Sequence, residues 1–133
     1  MNAPSGRSFN FAKLVVADLD RCATFYQAVF KLEELARVED AIAGRPIHEV
    51  MYKPTHEGAA TFVLLAYKDT DQPALNEAII GFTVTDLDGV LEAVDAQGGR
   101  LVEAIREMPH LGIRVAFAAD PEGHLIEIVQ MLG

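Results

Sequence analysis

The chain has 133 residues, half of them hydrophobic and 23% charged, which suits one globular domain that can bury a core without disulfides or structural metals. Twenty acidic residues against eleven basic give a formal charge of −9, with no cluster of Lys and Arg, so nucleic acid and anionic membrane surfaces are excluded as expected partners. No apolar run approaches the roughly 18 residues needed to span a bilayer, and "MNAPSGRS" lacks the basic start and apolar stretch of a signal peptide. The single cysteine, Cys22, permits no internal disulfide, and the expectation is a cytoplasmic protein.

Residues 1–8 are expected to be a flexible N-terminus. The first element is the apolar strand of "FAKLVVADLD" (11–20), and its pattern returns in "IIGFTVTDLD" (79–88). Both run into V-x-D-L-D, with Asp18 and Asp86 separated by 68 residues, about half the chain. After the first motif Cys22, Phe25, Tyr26 and Val29 fall at i, i+3, i+4 and i+7; after the second Leu87, Val90, Leu91 and Val94 do the same. Both stretches therefore read as amphipathic helices of about three turns. Asp18 and Asp86 stand at the N-cap positions, where a carboxylate accepts from free first-turn amides, and Gly98-Gly99 is the stop of the second helix.

Short strand-like segments follow each helix. In the first half they are 32–38, 47–52 and 60–67, broken by "AIAGRP" and "PTHEG"; in the second, 100–106, 113–119 and 124–131, broken by "MPHLG" and "DPEG". "DPEG" suits a type I turn, with Asp first, Pro second and Gly fourth. The organisation is thus a first βαβββ module at 9–67, a connector at 68–77 and a second βαβββ module at 78–133, in an α+β fold.

Glu127 is the chemical anomaly, a carboxylate centred in the apolar run "HLIEIVQ". Alternation puts it on one side with Leu125, Val129 and Met131. Such a group is exposed at a rim, protonated, paired with a cation or bound to a metal.

Two tandem βαβββ units, the repeated V-x-D-L-D, "FYQAVF" in the first helix and the terminal "DPEGHLIEIVQ" together resemble the vicinal oxygen chelate superfamily, which spans glyoxalases, bleomycin-resistance proteins and extradiol dioxygenases. The resemblance covers about Phe9 to Met131. It implies an eight-stranded mixed sheet curled around a cleft, helices outside, commonly in a homodimer. In the metal-dependent members a divalent cation sits in the cleft, held by one side chain from the first and last strand of each unit, and acts as a Lewis acid. Carried onto this sequence, those four positions are Phe11, Leu64, Ile79 and Glu127. Only Glu127 has a donor atom, so no metal cofactor is favoured, although a displaced divalent site using His48 with Glu127 stays open.

The same resemblance places Lys13 and Thr83 on the cleft face beside Phe11 and Ile79. Lys13 then meets Glu127 or an anionic ligand, or else runs past the strand edge to water. His48 and Tyr52 face the cleft from a strand, His110 lies in a loop that can close over it, and Arg114 is a counter-ion to Glu127 or to substrate. His56 and His124 read as loop and turn residues, and Cys22 as core. Three roles stay open for Glu127: metal ligand, ligand-facing hydrogen-bond acceptor or base, and a structural carboxylate satisfied by a cation. Two functions follow. One is a metal-independent module that binds a small apolar or aromatic molecule; the other is a lyase, isomerase or dioxygenase with an atypical metal site or with Glu127 as base.

Overall fold

The computed structural model describes residues 5–6, 9–74 and 78–133; parts of the expected N-terminal segment and of the connector lie outside the described residues. The element order is β1 (Phe11–Val15), α1 (Leu19–Phe30), β2 (Glu34–Ile42), β3 (Arg45–Tyr52), β4 (Thr61–Tyr67), β5 (Ile79–Val84), α2 (Leu87–Ala96), β6 (Arg100–Met108), a 3-10 turn at Pro109–Leu111, β7 (Ile113–Ala119) and β8 (Leu125–Met131). This is an α+β fold of two βαβββ modules. Hydrogen bonding resolves the eight strands into two four-stranded mixed sheets, ordered β1-β4-β3-β2 and β5-β8-β7-β6. The identical order is the spatial form of the sequence repeat, since each first strand lies parallel to the last strand of its own module.

Both helices begin where the aspartates put them. The Arg21 amide donates to Asp18 Oδ1 at 3.1 Å, and the Gly89 amide to Asp86 Oδ1 at 3.1 Å. At the end of α2, Gly98 takes φ +88°, and the Gly99 amide donates back to the Val94 carbonyl. The expected break "AIAGRP" is shorter than its composition suggests. Ala43 and Gly44 both take positive φ, 51° and 78°, so a two-residue turn lets β2 run on to Ile42 and β3 start at Arg45.

The chain divides into two compact units, Met1–Ala23 with Leu32–Pro73 and Thr24–Lys31 with Ala74–Gly133. In the first, Leu64, Val50 and Tyr52 are at most 1% exposed, and Tyr52 stacks on Phe62 with ring centroids 6.2 Å apart. Leu19, Cys22 and Ala23 of α1 are buried.

In the second unit, one face of the sheet is covered. Ile126, Ile128, Ala116 and Ala118 are wholly buried there, with Leu87 and Val94 of α2. Phe82 belongs to the same face and stacks on Phe30 at 3.8 Å between centroids, with Tyr26 alongside at 6.3 Å. At the edge of this layer the Asp120 carboxylate collects a set of donors. The Tyr26 hydroxyl donates to Oδ2 at 2.8 Å, and the Glu122 and His124 amides donate to Oδ1. His124 Nδ1 lies 2.8 Å from Oδ2 and 3.0 Å from Oδ1, so that nitrogen carries the proton. Burial pushes the Asp120 carboxyl up, but these bonds from His124 and Tyr26 outweigh it and hold the group below the usual carboxylate range. The expected turn is present at 120–123, closed by the Gly123 amide on the Asp120 carbonyl, with Gly123 at φ +92°. Pinning this turn fixes where β8 begins, and hence the face on which Glu127 emerges.

Candidate functional site

Register converts the alternation of β8 into a surface. Glu127 pairs with Gly81 on β5 and with Phe117 on β7, and Phe117 pairs with Glu103 on β6. Directly paired residues share a face, so these four form one cross-strand row. Leu125 and Val129 project to the same side as Glu127, paired with Ile79 and Thr83. Ile126 and Ile128 turn the other way, into the layer beneath the helices.

The Glu127 face is open along β5 and β8 and closes at β7. Ile79 is 59% and Met131 60% exposed, Gly81 and Thr83 are exposed, Glu127, Leu125, Val129 and Phe117 are half-buried, and Val115 and Ala119 are buried. The Glu127 carboxylate has no hydrogen-bond donor or ion-pair partner among the described residues. Arg114, the arginine considered for it, occupies the opposite face. It pairs with Gln130, its guanidinium lies 3.4 Å from Asp88 Oδ2 and from Gln130 Oε1, and its buried Nε finds no acceptor within hydrogen-bonding distance.

The other proposed site residues are distributed as follows. Phe11 and Lys13 share one face of the first sheet, with Phe11 54% exposed. Lys13 Nζ donates to Glu49 Oε2 at 2.9 Å, and the Glu49 side chain is only 8% exposed. Leu64 pairs with Leu14, not with Lys13, so it emerges on the opposite face from Phe11 and Lys13 and is wholly buried. His48 and Tyr52 belong to that opposite face as well: His48 pairs with Ala66, and Tyr52 stacks on Phe62. His110 is exposed in the 3-10 turn. Thr83 lies beside Val129, one residue pair along from Glu127.

Glu49 is the residue that sequence reasoning passed over. "PIHEVMY" carries the same signal as "HLIEIVQ", a lone carboxylate at an alternating position in an apolar strand. Removing Lys13 strands that carboxylate. Lys13→Met is therefore expected to cost about 1–3 kcal/mol, below the full cost of breaking a buried pair because Lys13 is itself about a third exposed. Urea unfolding measures this. Adding Glu49→Gln to Lys13→Met should recover part of the loss, and a double variant no better than the single one argues against the pair.

The positions carried over from the family's cation site supply few donor atoms. In the first sheet the position beside Lys13 is Val63, flanked by Phe62 and Leu64, so a shift of register in either direction brings another hydrocarbon. Phe11 and Ile79 are hydrocarbon as well, which leaves Glu127 as sole donor. Among the described residues no three His, Cys, Asp or Glu side chains gather closely enough to hold a metal ion.

Comparison with known proteins agrees with this architecture. Residues 8–128 match the model of the Glyoxalase/Bleomycin resistance protein/Dioxygenase superfamily, and the chain belongs to that family. It is 30% identical over 119 residues to the lactoylglutathione lyase of Neisseria meningitidis, covering 88% of this chain and 86% of that one. A probable lactoylglutathione lyase of Vibrio parahaemolyticus is 27% identical over 120 residues, with the same coverage. Among solved structures, a glyoxalase family protein from Bacillus cereus superposes with TM-score 0.80 at 20% identity over 93% of each chain. A glyoxalase/bleomycin resistance protein/dioxygenase family enzyme from Burkholderia phytofirmans gives 0.71 at 18% identity over 95% of this chain and all of that one. At such identities the structural likeness carries the fold alone. No helix among the described residues is long and apolar enough to cross a membrane.

Proposed function

We propose that this protein binds a small, largely apolar or aromatic molecule on the open face that carries Glu127, without the divalent metal common in its family. The observation that supports this most is the donor set. Hydrocarbon fills three of the four family positions, while the remaining carboxylate stands among apolar side chains with no partner among the described residues. A surface of this kind wets poorly, so covering it with a ring or alkyl group is favourable, and Glu127 sets the orientation of what binds. Away from that face, Phe11, Leu35 and Leu101 each expose more than half their surface, which favours a homodimer; sedimentation velocity should give about twice the 14.5 kDa chain mass.

Metal analysis of protein purified without chelator tests the metal-free reading directly. Stoichiometric, tightly held zinc, nickel, manganese or iron overturns it.

The relatives named lactoylglutathione lyase favour a second reading, a lyase or isomerase of the glyoxalase type in which Glu127 takes a proton from substrate. Formation of lactoylglutathione, followed by the absorbance of its thioester, separates the two. Turnover that survives exhaustive chelation and disappears in Glu127→Gln selects the enzyme; no turnover with or without added metal selects the binding protein.

A further inference from the structure

We propose that Glu127, Gly81 and Phe117 form a subsite for the protonated amine of an aromatic or apolar small molecule. This deepens the binding reading above and rests on it. The register carries the argument. Gly81 and Phe117 flank Glu127 across the sheet, and Leu125 and Val129 flank it along the strand. The four diagonal neighbours on this face are uncharged too, and the Thr83 hydroxyl is their only polar side-chain group. The cations on the same face, Arg100 and Arg106, sit on β6, two strands away, with Glu103 between them.

No described residue on this surface therefore neutralises the Glu127 carboxylate, and the chain as a whole carries −9. A molecule that lies on the face takes water from that carboxylate. If it brings no charge and few donors, the carboxylate is desolvated without compensation, and much of the gain from apolar contact is lost. An ammonium group supplies both the counter-charge and up to three donors, so the apolar contact is kept. The face thereby selects amines over alcohols of the same shape, and excludes acids.

Gly81 gives the amine room. A Cβ at this position would meet nothing nearer than the backbone oxygen of Glu127 at 3.9 Å. A notch thus lies next to the carboxylate on the β5 side. On the β7 side, one strand spacing of about 4.8 Å away, Phe117 offers an aromatic ring for contact with the ligand. Because an added Cβ makes only ordinary contact, larger residues at 81 can fill the notch without disturbing the strand, and a β-branched one suits an extended backbone.

The test uses three probes, 2-phenylethylamine, 2-phenylethanol and phenylacetate, with affinities read by titration calorimetry and the binding face by NMR shifts. The amine is expected to bind about tenfold more tightly than the alcohol, and phenylacetate not measurably. Glu127→Gln should bring amine and alcohol to equal affinity. Gly81→Val should weaken amine binding at least about tenfold while leaving the melting temperature unchanged or higher. An amine no tighter than the alcohol, or a preference that survives Glu127→Gln, overturns the subsite; undiminished amine binding in Gly81→Val removes Gly81 from it. If all three probes bind equally on this face, amine selectivity fails and the binding reading stands. If none shifts residues of the face, both fall.

Discussion

Asp120→Ala is expected to lose about 3–5 kcal/mol of stability in urea unfolding, the largest effect of any single substitution outside the apolar core. The Asp120 side chain is itself inaccessible to solvent and accepts from the Tyr26 hydroxyl, the Glu122 and His124 amides and the His124 ring. Alanine removes the acceptor these donors share, and the cost lies in that loss more than in the carboxylate itself. Tyr26→Phe removes one donor and its bond together, so it should cost only about 1–2 kcal/mol. A loss below about 1 kcal/mol for Asp120→Ala would falsify this role.

Acid provides an independent measurement. The Asp120 carboxyl titrates lower in the folded chain than in the unfolded one, so its contribution is complete above the unfolded value of about 3.9 and is lost as pH falls through the folded value. Stability of the wild type should therefore fall on acidification below about pH 4 more steeply than that of Asp120→Asn. Equal acid slopes would show that the hydrogen bonds do not discriminate between the two protonation states.

Gly99→Ala is the second large effect, expected at about 2–3 kcal/mol and read as a fall of roughly 10 °C in melting temperature. Its Cβ would stand 2.6 Å from the Ala119 carbonyl oxygen, 2.8 Å from Val94 Cγ1 and 2.9 Å from Phe25 Cε1. The first of these is backbone of β7, which cannot yield without carrying its strand partners along. The neighbouring glycine is required for a different reason. Gly98 occupies the left-handed region at φ +88°, so Gly98→Ala is a matter of local strain and should cost about 1–2 kcal/mol. A Gly99→Ala effect no larger than that of Gly98→Ala would mean that Phe25 and Val94 give way easily.

The parts of this fold that could be read from sequence are those written in the identity and spacing of polar residues. Asp18 and Asp86 announced two helices and, through their common motif, a repeat, which appears as two sheets of identical strand order. Asp120, Pro121 and Gly123 announced the turn before β8. The face of Leu64 was not legible, because the strand centre "FVLLA" is hydrocarbon on both sides, and pairing with β1 decides it. Likewise nothing in the sequence joins Lys13 to Glu49, which are 36 residues apart and meet only through the order β1-β4-β3. At Glu127 the sequence supplied the residue and its side of the strand; that Arg114 is not its partner follows only from the register, which puts Arg114 on the opposite face.

The grouping of Thr24–Lys31 with the second sheet separates the unit of repetition from the unit of cohesion. Cutting the gene at the connector would return two chains that each match one repeat. The second would nevertheless lack the hydroxyl that Asp120 accepts from and the ring on which Phe82 stacks, since Tyr26 and Phe30 lie upstream of the cut. A chain holding the second repeat alone would leave both places empty unless a sister molecule's helix filled them. In the present chain the second repeat inherits its finish from the first.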